Sequence, residues 1–588
     1  SGTIQGGYLG VGAGYADIIN VTNEKGGTIE LMNNGSGGFG VGIMYGGTAT
    51  VTNAGEIRGG QDGVGMAYLT EAKVTNSGTI WGIGNGVGIV YVYESATVEN
   101  SGTIRGVVEG SGVLITNAGL ATVNNSGTIE GHYGVYIEAY DASVTNSGTI
   151  QGGKYGLYVN NYASDSTTID NSGTIIGSTG IAAGGGYTTI VNSGTVTGTG
   201  GTAISVTDDY NTVTLTTGSV INGIIQADNE YPDNYMVLDG EGTINADQIQ
   251  QFSYLDKTGA GTWILNGDYD YASDSYDGHT MTVHEGILAL GQRGSADGGV
   301  QTDYFSQDEG ASLGYVVSAT GATGALLVSS EADFSDGAIV VIPTAGTYAK
   351  ETIYENVLNL SSADFTPWGS VVSTSAFLSP EMIDLDEDDI FDLALTRLSF
   401  TSGMPESLNG FGSALDEIYD TATGDMRTFL DELLVLSPED AAAGMASASG
   451  GTQSAMQRLS FSGLGNYLGV INNHLGGASF AQNSGSSGMA FTPYTQMALA
   501  GGGETLSDAT PLLLAAVGNI GQGQIASGTN WGLWIDGYFS YGDRRSDDII
   551  TKYNQKLYGG MLGFDFRVTD NLFLGVSGGI STAKLDFD

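Results

Sequence analysis

The amino-acid sequence predicts an all-β protein: a right-handed parallel β-helix, or solenoid, then a helical linker, then antiparallel strands of a β-barrel. Three observations support this fold class. A five-residue phrase recurs at a near-constant period over residues 1–225, helix-compatible stretches follow residue 400, and the last part of the chain alternates strictly between apolar and polar positions. The chain therefore combines one long repetitive rod with a short C-terminal sheet of a different kind.

The phrase is Asn-Ser-Gly-Thr-Ile, and it recurs without change at 76–80, 100–104, 125–129, 146–150 and 171–175. Close variants precede and follow these copies. The aligned copies end at Ile4, Ile29, Ile57, Ile80, Ile104, Ile129, Ile150, Ile175, Val196 and Val220. Steps of roughly 21 to 28 residues are typical of solenoid coils. A sandwich or barrel of short strands is the alternative, but a constant motif at a constant period requires every repeat to occupy the same environment.

Within one copy, the chemistry is that of two short strands that meet at a corner. In the copy at 74–80, Val74 and Ile80 are expected to point inward, and Asn76-Ser77-Gly78 forms the bend. A third apolar strand follows each copy, so we expect three strands per coil. Asn76 is expected to share amide hydrogen bonds along the stack with its equivalents, Asn53, Asn100, Asn125, Asn146, Asn171 and Asn192.

Composition agrees with a turn-dense β protein and excludes several classes of function. Of 588 residues, 97 are Gly and 8 are Pro, and only 14% are charged. The formal net charge of −47 repels phosphate backbones, which excludes nucleic acid as a partner and disfavours anionic lipid surfaces. The chain contains no cysteine, so disulfides, thiolate metal ligands and thiol nucleophiles are excluded.

Past residue 220 the phrase decays, but the β character continues and a second motif appears. Residues 257–267 read K-T-G-A-G-T-W-I-L-N-G, and residues 282–290 read T-V-H-E-G-I-L-A-L. This arrangement resembles the repeat associated with autotransporter passenger domains, the secreted β-helices of the type V pathway in Gram-negative bacteria. Residues 338–400 resemble the end of such passengers, which implies that the last coils act as an autochaperone from which the rod folds.

The composition changes again from Leu408 to His474, where helices are predicted. The helix-compatible stretches are 414–420, 426–434 and 455–459. Ser437-Pro438-Glu439-Asp440 is a good helix start, because Ser can cap the helix and Pro is tolerated in its first turn. A Gly/Ser-rich stretch at 476–505 predicts a flexible loop, and 511–517 predicts another short helix.

The final residues show the alternation of strands with lipid on one side and a polar lumen on the other. The apolar positions are Trp531, Leu533, Ile535, Gly537, Phe539 and Tyr541, then Leu562, Phe564, Phe566 and Val568, then Leu572, Leu574, Val576 and Ile580. A short turn at Thr569-Asp570-Asn571 contrasts with a long charged connection from Asp543 to Asp548. Short turns on one side and long loops on the other are typical of outer-membrane barrels.

These strands resemble the start of the autotransporter translocator barrel, on the residues at 534–543, 558–567 and 570–579. The family's barrel has about a dozen strands, and this chain carries about three. Because three strands leave edges that hydrocarbon does not tolerate, we expect a truncated barrel and a chain that is a fragment, open at both ends.

The resemblance implies an order of segments and a location. We expect β-helix passenger repeats over 1–252, C-terminal passenger coils with an autochaperone-like region over 253–400, a helical and Gly/Ser-rich linker over 401–528, and the start of the barrel over 529–588. The barrel would lie in the Gram-negative outer membrane, in contact with its lipid and inserted by the barrel-assembly machinery. The passenger would be at the cell surface or extracellular. Asn472-Asn473 is only a weak candidate for self-cleavage.

The sequence predicts no catalytic, cofactor-binding or metal-binding residue. Two acidic and tyrosine-rich patches are candidates for a lateral active face, and both are interpreted as solvated surface because no Lys or Arg cluster accompanies them. They are Tyr136, Glu138, Tyr140 and Asp141, and Asp268, Tyr269, Asp270, Tyr271, Asp274, Tyr276 and Asp277. The histidines, His132, His279, His284 and His474, lack metal-ligand spacing. The run that begins at Asp384 lacks the Gly and Glu of a calcium loop.

Two hypotheses for function remain. The favoured one is a non-enzymatic β-helix that mediates adhesion, autoaggregation or biofilm contacts with glycans, with proteins or with itself. The alternative is a passenger with polysaccharide lyase or glycoside hydrolase activity on its lateral face. The residues expected to contact partners are those that follow each phrase, Arg58, Trp81, Arg105, Glu130 and Gln151.

Overall fold

The computed structural model describes residues 2–31, 37–162, 166–228, 233–271, 278–295, 298–335, 337–449, 531–544, 553–569 and 572–587. Internal contacts divide the chain into two units, Ser1–Leu398 and Ser399–Asp588. The first unit is a β-solenoid of about 13 turns, and the second contains short helices and the C-terminal strands.

The first part of the solenoid carries the phrase. Its strands are β1 (Thr3–Gly6), β2 (Leu9–Gly14), β3 (Ile18–Asn23), β4 (Thr28–Leu31), β5 (Phe39–Asn53), β6 (Glu56–Gly59), β7 (Asp62–Asn76), β8 (Thr79–Gly82), β9 (Val87–Asn100), β10 (Thr103–Gly106), β11 (Ser111–Asn125), β12 (Thr128–Asn146), β13 (Thr149–Asn161), β14 (Thr167–Asn171), β15 (Thr174–Gly184), β16 (Thr188–Asn192), β17 (Thr195–Val206), β18 (Thr212–Leu215) and β19 (Val220–Gln226).

The second part of the solenoid completes the first unit. Its strands are β20 (Tyr235–Asp239), β21 (Gly242–Asn245), β22 (Ile249–Gln250), β23 (Tyr254–Thr258), β24 (Thr262–Asn266), β25 (Tyr269–Asp270), β26 (Thr280–Val283), β27 (Ile287–Leu290), β28 (Val300–Gln307), β29 (Ser312–Val317), β30 (Leu326–Asp333), β31 (Ala338–Pro343), β32 (Glu351–Asn359), β33 (Asp364–Thr366), β34 (Ser370–Ser373), β35 (Leu378–Ile383) and β36 (Ile390–Arg397). A 3₁₀ turn spans Ala246–Gln248.

Successive coils pair in parallel and in register, as the phrase predicts. Residues 79–82 lie opposite residues 103–106 of the next coil, residue for residue. Val74 and Ile80 are fully buried, so the two β-branched positions of the phrase do form the inner wall. One coil contributes three paired stretches, for example 56–59, 64–69 and 71–76, which confirms three sides per coil.

A ladder of buried asparagine amides runs along the corner of the phrase. Each Nδ2 donates to the Oδ1 of the next asparagine at 2.7 to 2.8 Å, through Asn23, Asn53, Asn76, Asn100, Asn125, Asn146, Asn171 and Asn192. The Nδ2 of Asn125 also donates to the carbonyls of Gly127 and Thr149. The predicted ladder is confirmed, and it begins one coil earlier than expected, at Asn23.

The expected alignment of the last copy at Val220 is wrong by one residue. Val196 pairs with Ile221, and Val220 lies opposite Thr195 with 48% of its surface exposed. The corner here is two residues longer than in the copies from Asn53 to Asn192, and a turn closes it from the Ser219 amide to the Thr216 carbonyl, as the Gly27 amide and Glu24 carbonyl do in the equally long corner after Asn23. Gly218-Ser219-Val220 resembles the phrase in letters but not in register.

The structure explains the second motif by its buried polar groups. Lys257 is fully buried, and its ammonium donates to the carbonyls of Thr258, Gly259 and Glu285 at 2.6 to 3.1 Å. Burial lowers the pKa of Lys257. The indole nitrogen of Trp263 donates to the Asp239 carbonyl of the preceding coil at 3.0 Å. These contacts join neighbouring coils where the asparagine ladder has ended.

The end of the solenoid changes its pairing. Strand β36 pairs antiparallel with both β32 and β35, whereas the earlier coils pair in parallel. An antiparallel strand cannot continue the parallel stack in the same way, so these three strands form a cap within the first unit.

The second unit begins with helices that the sequence predicts only in part. The helices are α1 (Asn409–Ile418), α2 (Asp425–Leu433) and α3 (Pro438–Ala448), after a 3₁₀ turn at Glu406–Leu408. Ser437 caps α3 by accepting a hydrogen bond from the Asp440 amide at 3.2 Å, as predicted. The predictions at 455–459, 472–473, 476–505 and 511–517 lie outside the described residues.

Three long antiparallel strands follow, in agreement with the alternation. They are β37 (Trp531–Arg544), β38 (Tyr553–Thr569) and β39 (Leu572–Phe587). Asp543, expected in the long connection, instead belongs to β37 and lies opposite Asn554.

Asp62 is an exception among the carboxylates of the described residues because it is buried. It is 6% exposed, and the Asn85 side-chain amide donates to it at 3.0 Å. Burial raises the pKa of Asp62 from 3.8 to about 6, although the two hydrogen bonds from Asn85 oppose the rise. Above that pH the folded rod therefore holds a buried charge.

Substituting Asn125→Ala should destabilise the rod by about 3 kcal/mol, because it removes four amide hydrogen bonds, leaves the buried Asn146 Oδ1 without its donor and takes from the Asn100 Nδ2 the shortest of its three acceptors. The urea midpoint of the rod measures this effect. The neighbouring Ser126→Ala is the control and should change stability by less than about 0.5 kcal/mol. Equal midpoints for the two variants would contradict a structural role for the ladder.

The Asp62→Asn variant should be more stable than the wild type at pH 7.5, by about 3 kcal/mol for a shift of about two pKa units. The folded wild type keeps a proton that the unfolded chain releases between pH 3.8 and about 6, so its free energy of unfolding falls as pH rises through that window. Urea unfolding at pH 4.5 and 7.5 measures the difference, with the exposed Asp170→Asn as the control for loss of one charge. If the free energy of unfolding depended on pH in the same way in Asp62→Asn and Asp170→Asn, the raised pKa assigned to Asp62 would be refuted.

Candidate functional surfaces

The residues that follow each phrase form one outward column along the rod. Parallel register places Gln5, Glu30, Arg58, Trp81, Arg105, Glu130, Gln151, Ile176, Thr197 and Asn222 opposite one another. Arg58 pairs with Glu56 at 2.6 Å, and Arg105 with Glu130 at 3.5 Å. Both arginine side chains remain about half exposed, at 51% and 54%. The structure thus brings the five sequence-predicted contact residues together on one side.

A second row, which the sequence interpretation missed, consists of exposed tyrosines at another corner of the coils. We name it the tyrosine edge: Tyr15, Tyr45, Tyr68 and Tyr91 lie in register on four successive coils, Tyr93 follows Tyr91 on the same coil, and Tyr187 and Tyr210 form a separate stacked pair farther along the rod. Between 43% and 86% of each is exposed. The first four rings stack face to face with centroids 4.9 to 5.3 Å apart.

The tyrosine edge is held in an unfavourable backbone conformation. Tyr15, Tyr45, Tyr68, Tyr91, Tyr187 and Tyr210 all have φ between 50° and 60°. A non-glycine residue in this left-handed region costs about 1 to 2 kcal/mol. Asn tolerates this conformation better than Tyr does, and Asn117 occupies it in the coil after Tyr91. Ring stacking of about 0.5 to 1.5 kcal/mol per pair offsets this cost. The side chain, rather than the backbone, is therefore the reason for tyrosine here.

A third surface lies on two coils only, and the sequence-predicted Tyr136, Glu138 and Tyr140 are at its centre. We name it the aromatic patch, and its members are Tyr133, Tyr136, Glu138, Tyr140, Lys154, Tyr155, Tyr158 and Tyr162. Tyr136 stacks on Tyr158 at 4.7 Å, and Tyr133 on Tyr155 at 5.7 Å. The rings of Tyr140 and Tyr162 lie 5.1 Å apart, tilted by 60°.

Two charged side chains complete the aromatic patch. The Tyr136 hydroxyl donates to the Glu138 carboxylate at 2.5 Å, and burial together with this bond raises the pKa of Tyr136. The exposed Lys154 ammonium lies 4.9 Å from the Tyr155 ring centre and 5.6 Å from that of Tyr133. A hydrogen bond to Tyr133 is the main cause of the raised pKa of Lys154. The patch thus offers ring surface, an acceptor and a cation side by side.

The other candidates take structural roles. Asp268 accepts hydrogen bonds from Gly294 and Ser295, while Asp274, Tyr276 and Asp277 lie outside the described residues. The interpretation of Tyr271 as solvated surface is wrong. Tyr271 is 1% exposed, and its ring stacks on His279 at 4.7 Å.

The histidine environments do not resemble a metal centre. Burial lowers the pKa of His279 to about 3, and His284 contacts the Asp308 carboxylate at 2.8 Å. Asp384 uses its carboxylate to accept backbone amides of its own loop, including that of Glu387 at 2.8 Å. Within the described residues, no group of three or more His, Cys, Asp or Glu side chains is placed to hold a metal ion.

The C-terminal strands carry an exposed apolar face. In β38, Tyr558, Leu562, Phe564 and Phe566 are 45% to 53% exposed, while Leu557 and Met561 on the other face are buried. Register places Phe564 opposite Val576 and Phe566 opposite Leu574, two residues of β39 that are more than half exposed. A continuous apolar band of this kind is unusual on a surface in water and is typical of strands that face lipid.

Comparison with known families decides the nature of these strands. Residues 533–588 match the model of the autotransporter beta-domain. The chain fits a type V autotransporter. Searches of curated proteins and of solved structures return no significant match. The match lies within the second unit, and the solenoid forms the first.

An autotransporter beta-domain implies a barrel in the Gram-negative outer membrane and a surface-exposed β-helix passenger. It also implies insertion by the outer-membrane assembly machinery. Among the described helices, none is long and apolar enough to span a membrane.

The signal for the tyrosine edge was present in the sequence. Tyr45, Tyr68 and Tyr91 recur at the coil period, but the phrase dominates the repeat and hides a second periodic position. The partners of Tyr136 could not be found in this way, because Tyr158 becomes its neighbour only through coil register.

The variant Tyr68→Gly should be more stable than Tyr68→Ala by about 1 kcal/mol, although both variants lack the same ring. Gly adopts φ 56° without strain and Ala does not. Urea unfolding of Tyr68→Gly and Tyr68→Ala measures the difference. At Tyr136, which lies in strand β12, the order should reverse because Gly weakens an ordinary strand. If the Gly and Ala variants had the same order of stability at Tyr68 and at Tyr136, backbone strain at the tyrosine edge would be excluded.

Proposed function

We propose that the solenoid of this autotransporter is a non-enzymatic adhesive rod that mediates adhesion, autoaggregation or biofilm contacts at the cell surface. The observation that carries this proposal is the repetition of exposed side chains in register along successive coils. The outward column places one outward side chain on every coil that carries the phrase, and the tyrosine edge repeats the same ring on four successive coils, at the strand spacing of about 4.8 Å. Repetition of this kind suits many weak contacts better than one catalytic pocket.

Multivalent contact explains why no single coil needs a deep site. When several contacts act through one rod, the second and later contacts form at a high effective concentration, so weak individual contacts give strong attachment. A groove on the phrase corner has a volume of about 340 Å³ and is lined by polar residues, among them Ser101, Ser126 and Ser147. These hydroxyls and amides can form hydrogen bonds, and the one carboxylate of the lining, Glu99, is already paired with the Lys73 ammonium and the Thr75 hydroxyl.

We further propose that the working segments follow the boundaries expected from the sequence. Residues 1–252 would carry the contacts, and residues 253–400 would support folding of the rod. Residues 401–528 would connect it to the barrel segment that begins at residue 529. Partners would be glycans or proteins of host or bacterial surfaces, or another copy of the rod.

Deletion of residues 1–250 should abolish clumping of cells that display the protein, since it removes the outward column and the tyrosine edge. A second variant removes residues 79–173, which is four whole coils, and rejoins Gly78 to Thr174 so that the phrase and the stack are restored. We expect it to clump less than the wild type. Sedimentation rate of the cells measures clumping.

Surface-exposed passenger must be quantified on each strain, so that display and adhesion are separated. Clumping and surface attachment unchanged by the 1–250 deletion, at equal display, would refute the adhesive function. Release of sugar products from host or bacterial glycans by the displayed rod would favour the enzymatic alternative instead.

A further inference from the structure

The aromatic patch interrupts the repeat of the rod. In the neighbouring coils, the positions in register with Tyr136 and Tyr158 are Leu114 and Ala182. Those in register with Tyr133 and Tyr155 are Ser111 and Thr179. The neighbouring coils keep the same strand register with Leu, Ala, Ser and Thr at these positions. Six tyrosines on two adjacent coils are therefore not required by the solenoid.

The patch has the size of a small ligand. Two coils span about 10 Å along the rod, and the seven steps between Tyr133 and Tyr140 span about 23 Å across it, on strand and coil spacings of about 3.3 and 4.8 Å. This gives roughly 230 Å², well below the roughly 800 Å² that each partner contributes to a stable protein interface. A chain of a few sugar rings covers such an area.

The chemistry of the patch selects the ligand class. A sugar ring has an apolar C–H surface that packs on aromatic rings, and hydroxyls at its rim that both donate and accept hydrogen bonds. The stacked pairs Tyr136–Tyr158 and Tyr133–Tyr155 supply the rings, Glu138 supplies acceptors, and Lys154 supplies a donor. Tyrosine also loses little conformational entropy on binding, which suits a recognition surface.

The negative net charge of the chain favours neutral saccharides over anionic ones as ligands. The whole chain carries a formal net charge of −47, so it repels polyanions, and a second copy would bring like charges together. A neutral glycan meets neither penalty. We propose that the aromatic patch is a binding site for a neutral oligosaccharide, an inference that rests on the proposed function of a surface-displayed binding rod and names its ligand class.

Binding to a panel of soluble neutral oligosaccharides of glucose, galactose and N-acetylglucosamine tests the proposal, on cells that display the full protein. The double variant Tyr136→Ser/Tyr158→Ser should lose affinity for the bound sugar by at least about tenfold, since it removes two ring contacts. Lys154→Met should lose a smaller factor, because it removes one donor and keeps every ring.

The matched control is Tyr235→Ser/Tyr254→Ser. These two half-buried tyrosines also stack across neighbouring coils, with ring centroids 4.4 Å apart, but they lie outside the aromatic patch. The control should bind the sugar as the wild type does. Comparable passenger display and protease resistance for both double variants show that the rod remains folded.

Three outcomes would overturn the proposal. They are binding of no neutral sugar by the wild type, equal loss in the patch variant and its control, or a patch variant that alters only self-association. The proposed function is tested separately by the 1–250 deletion. Sugar binding that depends on the patch would stand even if that deletion left clumping intact, and clumping that depends on the rod would stand even if the patch bound no sugar.

Discussion

The inability of a single coil to bury its own apolar residues is the constraint on which the rest of the structure depends. Val74 and Ile80 are removed from water only because equivalent residues lie above and below them. Each coil must therefore take the register of its neighbour. The asparagine ladder enforces that register, since a slip by one residue would leave buried amides without partners.

This constraint acts on the inner face and leaves the outer face free. Outward positions of successive coils lie one above another whatever residue occupies them. A residue type that recurs at one of these positions therefore forms a row along the rod. The outward column, the tyrosine edge and the aromatic patch are three uses of that freedom. The left-handed tyrosines show that a row of side chains can even override local backbone preference, because stacking on both neighbours offsets the strain.

The C-terminal strands follow a different rule, because their exposed face is apolar. The exposed cross-strand pairs Phe564–Val576 and Phe566–Leu574 suit a lipid environment better than water. The chain thus combines a rod whose outer surface suits water with strands whose outer surface suits the outer membrane. That division agrees with the order expected of an autotransporter, in which one part is displayed by the other.

The sequence by itself determined the solenoid, the asparagine ladder, the cap of α3 and the alternation of the last strands. Each of these depends on local spacing: a phrase at a constant period, a Ser-Pro helix start, or every second residue apolar. The predicted alignment at Val220 was wrong because the residue types of the phrase recur there while the strand register between the coils is different. Only the folded chain shows that the corner there is two residues longer.

Tertiary structure alone decided which outward residues share a surface. Tyr136 and Tyr158 are separated by a whole coil in sequence, and Tyr271 reaches the interior to meet His279. Coil lengths vary, so the lateral neighbour of a residue depends on hydrogen-bond register, which no local pattern reports. The packing of the rod could therefore be predicted from the sequence, whereas its candidate contact surfaces could be identified only from the stacked coils.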